Sequence, residues 1–376
     1  MTLDPQTQKL LEMIETQGVI GGRFGNARRL GSNGGNGSFS LILEAEDKWN
    51  NNGKVALKFL HPFEREEYRR QCFKREPEML ARAAGQRDII QLVANREEFL
   101  CVLQPHGFEI PFAYYALELA KGDLGSVIEA GSMSAREILL RFRAMCRAVQ
   151  RVHSLGMAHR DVKPANFLLM SDGSIKLSDF GTARMIGDGT AGLIKDYAGF
   201  PPGDLGYTAP EILASLHDDD STVALGADIF SLGASLFEMF SGVPLGVQLF
   251  DQAFQFDLLQ AMAPVRRGDR KRIYNQFVGG IANSRPLPAV AAFSPTIPPC
   301  ITSVVDELYR SMAALDYRFR IRDFGIVFLK INRGILILDN DEKIRQWRRR
   351  REKEHQVAIE RQQRRAVTLL VKGGGR

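Results

Sequence analysis

The stretch His159-Arg160-Asp161-Val162-Lys163-Pro164-Ala165-Asn166, followed by Asp179-Phe180-Gly181, decides how this chain reads. A single aspartate or asparagine is ordinarily a turn or cap residue. Turn chemistry alone does not explain a histidine, two cations, a carboxylate and a carboxamide crowded into one proline-containing loop, with another aspartate downstream. The loop follows a helical stretch. Ser134-Ala135-Arg136-Glu137 is a capping box, and the helix it opens is expected to run to Gly156, a residue suited to the position past a helix end. A second helix, about Val223 to Ser241, also stops at a glycine.

Upstream the pattern changes. FSLILEAED (39–47) and KVALKFL (54–60) read as strands joined across Lys48-Trp49-Asn50-Asn51-Asn52-Gly53, where Asn-Gly is a hairpin signal. Glu64 to Ala84 has helical charge spacing. IIQLV (89–93), FLCVL (99–103) and FAYYALEL (112–119) are strand-like, and Leu10, Leu11 and Ile14 lie at helical spacing in a short N-terminal helix ending near Gly18. The expected fold class is α+β: a small β-rich lobe with one helix, then a larger α-rich lobe.

Composition supports a folded enzyme-sized chain. Its 376 residues correspond to about two to three domains or one large two-lobed unit. With 44% hydrophobic and 25% charged residues, wholesale disorder is excluded. Cys72, Cys101, Cys146 and Cys300 form no C-x-x-C pair, which excludes a cysteine-rich zinc module and suggests a reducing, cytoplasmic compartment. The first residues lack a basic region followed by an apolar stretch, so no secretory signal is expected. No uncharged apolar run approaches ~18 residues, so no transmembrane helix is expected either. From Asp341 to Arg376 there are 12 Lys/Arg against 5 Asp/Glu, a local balance of +7 within a chain of +6. The body is therefore neutral and the basicity belongs to the tail, which reads as an extended, charge-dense helix.

The sequence from about 27 to 335 resembles the eukaryotic-type protein kinase family, and its Ser/Thr branch in particular, whose loop reads H-R-D-x-K-P-x-N ahead of D-F-G. The resemblance implies the bilobal kinase fold. It also implies an ATP- and Mg²⁺-dependent enzyme that phosphorylates protein hydroxyls and itself. The chemistry accounts for the spacing, because phosphoryl transfer asks the protein mainly to position oxygens and neutralise phosphate charge. By resemblance, Asp161 is the base for the acceptor hydroxyl, Lys163 steadies the transferred phosphate, and Asn166 and Asp179 hold magnesium. His159, Arg160 and Phe180 belong to the same loop and triplet.

Other elements follow in the family's order. Ala56 and Lys58 in Val55-Ala56-Leu57-Lys58 resemble the strand motif whose lysine reaches the α/β-phosphates. Glu76 is the expected helix partner of that lysine, Glu78 the competitor, and Pro77 should kink the helix or mark an early turn. Gly31, Ser32, Gly34, Gly37 and Phe39 make an irregular glycine-rich loop, in which either Gly31 or Ser32 fills the first position. Tyr115 to Leu124 resembles the hinge. Leu117 would be the gatekeeper, Glu118 and Ala120 would bond the adenine edge through their backbones, and Asp123 would take the ribose, with Leu168 below. Glu211 of Ala209-Pro210-Glu211, Asp228 and Arg320 match the structural residues that separate protein kinases from small-molecule phosphotransferases.

The clearest departure is Gly203-Asp204-Leu205-Gly206-Tyr207-Thr208-Ala209-Pro210-Glu211, where Asp204 stands in the usual threonine position. Asp204 is expected either to act through Lys163 or to face solvent. Arg160 implies a phosphate on the activation segment, for which Thr190 is chosen over Thr182 and Tyr197. His217 to Asp220 reads as a solvated loop rather than a metal site. The expected domains are an N-terminal extension (1–26), a kinase domain (27–335, its lobes meeting near 120) and a basic helical tail (336–376). Protein substrates are the expected partners, together with an acidic partner or polyanion bound through residues 341–376. A pseudokinase scaffold and a small-molecule kinase are the rival readings.

Overall fold

A computed structural model of the chain describes residues 5–30, 36–37, 40–103, 107–187, 203–216, 220–281, 285–294 and 297–373. Helix α1 (Pro5–Glu15) precedes strands β1 (Val19–Ile20), β2 (Phe24–Arg29), β3 (Asn36–Gly37), β4 (Ser40–Asp47) and β5 (Gly53–Leu60). Helix α2 (Glu67–Arg82) and the long strands β6 (Leu92–Leu103) and β7 (Phe108–Glu118) complete the small lobe. The sheet is antiparallel with order β1-β2-β4-β5-β7-β6, and β3 pairs with β4.

The β4–β5 turn uses different residues from those the Asn-Gly signal suggests. Gly53 N donates to Asn50 O at 2.8 Å, and the two central residues, Asn51 and Asn52, have φ of 49° and 56°. Positive φ at both central positions is what a tight hairpin turn of this hand requires, and asparagine tolerates it. Gly53 instead starts the next strand. Pro77 stands past the middle of α2, buried, and the helix continues through it to Arg82.

The N-terminal helix is part of the lobe. Leu10, Leu11 and Ile14 are buried in one cluster with Phe24, Leu43, Phe59 and Tyr114, while Arg29 reaches back to Glu12 and Glu15. The expected limit at residue 26 therefore falls inside β2.

The large lobe begins with β8 (Gly122–Asp123), α3 (Leu124–Glu129), α4 (Ala135–Ser154) and β9 (Met157–Ala158). Next come β10 (Phe167–Leu169), β11 (Ile175–Leu177) and β12 (Arg184–Met185), then α5 (Pro210–Leu213) and α6 (Ser221–Ser241). The chain closes with α7 (Leu245–Leu249), α8 (Gln252–Met262), α9 (Arg270–Ile281), α10 (Pro299–Met312) and α11 (Phe324–Gly373). Ser134 Oγ accepts from Glu137 N at 3.2 Å, so the capping-box serine does cap α4. Gly156 and Gly242, with φ of 73° each, follow the ends of α4 and α6.

Helix α6 is the axis of this lobe. It is apolar and long enough to cross a membrane, yet 83% of its apolar window is buried in the fold, so it is a core helix. Its neighbours α4 and α10 bury Phe142, Val149, Val305 and Leu308 in the main cluster. That cluster reaches into the small lobe through Phe73, Leu80, Tyr115 and Leu117, so the inner face of the sheet and α2 share a core with the large lobe. Helix α11 starts at Phe324 and runs unbroken through the expected domain limit at 335, with Val327, Ile331 and Ile335 buried.

Candidate active site

Lys58 sits in β5 between β4 and β7, covered on both sides and 5% exposed. An ammonium buried this deeply needs carboxylate partners. Its Nζ lies 2.6 Å from Glu76 Oε2 and 3.4 Å from Asp179 Oδ1. Glu76 is buried on α2, whereas Glu78, two residues on, is exposed. Burial pulls the Lys58 pKa down, but Asp179 and Glu76 outweigh it and hold the ammonium above its ordinary range. For Asp179, burial pushes up and is outweighed by Lys58, His159 and Lys163, so the carboxyl stays below its usual range. Both groups remain charged at neutral pH.

The loop after β9 is held from beneath by α6. Asp228 Oδ2 accepts from His159 N and Oδ1 from Arg160 N, both at 2.8 Å. Arg160 has φ of 72°, a left-handed conformation costing about 1–3 kcal/mol outside glycine, and the two bonds to Asp228 fix it. His153 Nε2 is 3.0 Å from the same carboxylate. His159 Nε2 and Ser178 O lie 2.9 Å apart, and the His159 ring meets Phe180 edge-on at 4.8 Å. The loop is thereby tied to Asp179, itself left-handed at φ 61°.

Above this base the reactive groups converge. Asn166 Nδ2 donates to Asp161 O at 2.7 Å and to Asp161 Oδ2 at 2.9 Å, and Lys163 Nζ lies 3.1 Å from that same Oδ2. Asp204 approaches Lys163 from the other side, Oδ2 to Nζ 3.9 Å, with its side chain half exposed. Its Oδ1 accepts from Gly206 N at 2.9 Å, and its carbonyl accepts from Thr208 Oγ1 at 2.8 Å. Burial lowers the Lys163 pKa, but Asp161 and Asp204 outweigh it and raise it overall. Gly203, at φ 89°, makes the close approach possible. A Cβ there would lie 2.8 Å from Arg160 O and 3.3 Å from Asp161 Oδ1.

The remaining expected residues lie partly within and partly outside the described segments. Ala56 pairs with Leu117 across β5 and β7. The Glu118 carboxylate is occupied by Lys176 Nζ at 2.6 Å and Gln91 N at 3.0 Å, and its own backbone N donates to Gln91 O at 3.1 Å. Asp123 caps α3, accepting from Ser126 N at 2.8 Å and Ser126 Oγ at 2.7 Å, so a ribose would have to compete with that cap. Leu168 is half-buried and pairs with Asp123. Gly37 pairs with Ser40, whereas Gly31, Ser32, Gly34, Phe39, Thr190 and Tyr197 lie outside the described residues. So do His217 to Asp219, while Asp220 caps α6 and pairs with Lys271. No cluster of metal-ligating side chains occurs among the described residues.

The Glu211–Arg320 pair is fully buried. Arg320 Nη2 bonds Glu211 Oε2 at 2.8 Å, Nη1 bonds Oε1, and further guanidinium hydrogens reach Gly226 O at 2.9 Å and Ala314 O at 2.7 Å. Two neighbours of the site carry contacts beyond the sequence reading, which placed Tyr115 only at the start of the hinge and did not mark His153. Tyr115 pairs in register with Lys58, and burial together with the adjacent Glu76 carboxylate pushes its phenol well above the ordinary range. His153, on α4, reaches Asp228. The strand alternation that makes Leu117 a cleft residue also puts Tyr115 on that side, whereas nothing local marks His153.

A two-lobed fold with a buried Lys–Glu pair beside one aspartate, and a second aspartate on a loop anchored to the core helix, defines a phosphoryl-transfer scaffold. A family model described as protein kinase domain matches residues 29–278, and the chain belongs to that family. It is 31% identical over 215 residues to extracellular signal-regulated kinase 1 of Candida albicans, covering 56% of this chain and 47% of that protein. It is 31% identical over 215 residues to mitogen-activated protein kinase spk1 of Schizosaccharomyces pombe, covering 56% and 53%. To 3-phosphoinositide-dependent protein kinase 1 of Arabidopsis thaliana it is 33% identical over 136 residues, covering 34% and 27%. The chain thus spans about half, or less, of the length of these relatives.

Proposed function

We propose that the protein is an ATP-dependent Ser/Thr protein kinase that transfers the γ-phosphate to protein hydroxyls and phosphorylates itself. The observation that carries this reading is the salt-bridged Lys58–Glu76 pair beside Asp179, facing a loop on which Asp161, Lys163 and Asn166 bond to one another. In this reading Lys58 holds the nucleotide phosphates. Asp161 accepts the proton of the acceptor hydroxyl, and Lys163 offsets charge at the transferred group. Asn166 spends its N–H donors on Asp161, which leaves its amide oxygen, with the Asp179 carboxylate, as a hard oxygen pair suited to Mg²⁺. When bound, the ion would supply neutralising charge at the phosphates. Glu118 and Ala120 are assigned to adenine through their backbones, and the glycine-rich segment from Gly31 to Phe39 to the phosphates.

A cytoplasmic location belongs to the same proposal, supported by four cysteines that are all unpaired. The tail from 341 to 376 is assigned an acidic or polyanionic partner on its +7 balance. Salt-sensitive retention on heparin with and without that segment tests the assignment. For the catalytic reading, the protein is incubated with γ-labelled ATP, Mg²⁺ and a mixture of acceptor proteins, and the products are mapped by mass spectrometry. Phosphoserine or phosphothreonine on the kinase and its acceptors is expected. Label found only on small molecules, or nowhere, rules the reading out.

A further inference from the structure

Helix α11 leaves the large lobe with one face satisfied and another bare. Phe324, Val327, Ile331 and Ile335 are buried against the core, and Arg136–Asp339 and Lys330–Glu307 ion pairs fasten the helix to α4 and α10. Elsewhere around the same helix Ile326, Leu329, Leu336, Ile344 and Trp347 are 45%, 70%, 60%, 50% and 59% exposed. At ~100° per residue these five fall within an arc of about 80°, along a line about 32 Å long at 1.5 Å per residue. Scattered exposed apolar residues are normal on a surface, whereas five in one line mark a contact.

The shape and charge of this stripe select its occupant. A helix that lies on a core or a membrane needs an apolar face wider than about 100°, and a narrower one fits the seam of a helix pair. Arg333 and Asn340, both exposed, interrupt the stripe, and Arg351 extends it with its guanidinium 5.3 Å from the Trp347 ring centroid. In a parallel pair of this helix with itself, Arg333 would face Arg333 and Arg351 would face Arg351. From Lys343 to Lys353 the helix carries seven Lys/Arg and one Glu, so two parallel copies repel. A partner that matches must bring carboxylates beside its own apolar seam.

We propose that the stripe from Ile326 to Trp347 docks an acidic amphipathic helix of another protein. Its apolar seam packs on Leu329, Leu336 and Trp347, and its carboxylates meet Arg333 and Arg351. This narrows the acidic partner assigned above to a helix, and rests on that assignment.

The test uses the full chain carrying Trp49→Phe, which leaves Trp347 as its sole tryptophan. It is titrated with a synthetic peptide of about three heptads bearing a leucine seam flanked by glutamates, with the same peptide flanked by lysines, and with phosphatidylserine-containing vesicles. A saturable blue shift of Trp347 emission is expected with the acidic peptide alone, weakening as salt rises. Leu329→Glu with Leu336→Glu should weaken that binding roughly tenfold or more and leave phosphorylation of a small peptide unchanged. Heparin binding without acidic-peptide binding overturns helix docking while the polyanion assignment stands, and loss of both removes the two together. An equal response to the lysine peptide, an equal shift on vesicles, or self-association in sedimentation would also overturn it.

Discussion

At the scale of single residues, Asp204 departs furthest from the family pattern. In place of a hydroxyl it sets a carboxylate 3.9 Å from Lys163, which already lies 3.1 Å from Asp161. Lys163 is partly buried, and the two carboxylates together keep the ammonium charged to higher pH than burial alone would allow. Asp204→Thr removes one of them. The Lys163 pKa should then fall, and the alkaline limb of the rate–pH profile should move to lower pH. Superimposable profiles of parent and Asp204→Thr would show that Asp204 has no influence on the reaction. This pairing was half legible in the sequence: the register to Ala209-Pro210-Glu211 put an acid in the threonine position, but only the fold shows which oxygen faces Lys163. The Glu76 and Glu78 alternatives were separated in the same way, since both sit on α2 and burial of one face distinguishes them.

At the scale of elements, the loop from His159 to Asn166 depends on a side chain of α6. Burial would raise the Asp228 carboxyl, but the hydrogen bond and charge of His153, the charge of His159 and the backbone N–H of Arg160 together hold it below the usual range. A carboxyl depressed in the folded state stabilises the fold above its unfolded pKa of about 3.9, and that contribution is lost as pH falls through the folded value. Asp228→Asn keeps the shape but loses the charge and an acceptor, and should cost about 1–3 kcal/mol near neutrality. The difference in urea midpoint between parent and variant should stay constant above pH ~5 and shrink below ~4. A difference independent of pH would mean that Asp228 is not the anchor described. Elements with local signals were readable in advance: Ser134 caps α4 and Gly242 ends α6 through contacts within a few residues. The β4–β5 turn misled because asparagine also tolerates positive φ, so Asn51 and Asn52 take the central positions and leave the glycine to start the strand.

At the scale of the whole molecule, the ends of the chain behave differently from their composition. Charge shifts near Asp341, but the packing limit lies elsewhere, because α11 buries Phe324, Val327, Ile331 and Ile335 before it turns basic. A charge count cannot reveal this, since apolar and polar residues alternate along the helix and only the tertiary fold shows which face is covered. The same holds for α1, whose Leu10, Leu11 and Ile14 complete the small-lobe core. Deleting residues 341–376 should leave the melting temperature and the activity on a small peptide nearly unchanged. Deleting residues 324–376 also removes four buried apolar side chains at about 1.5–3 kcal/mol each, enough to exhaust a typical folding free energy of about 5–15 kcal/mol. Soluble expression should survive the first cut and fail after the second. Equal loss from both would show that the distal helix packs on the body.

The central claim is that Asp161 and Asp179 do separate work in one phosphoryl-transfer site. It is tested most directly by measuring nucleotide affinity and single-turnover phosphate transfer side by side for the parent, Asp161→Asn and Asp179→Ala. Asp161→Asn should bind Mg²⁺–ATP like the parent and transfer phosphate about 10²–10⁴-fold more slowly, the usual worth of a positioned base, whereas Asp179→Ala should lose Mg²⁺-dependent binding or turnover. Transfer by both variants at the parent rate would contradict the account.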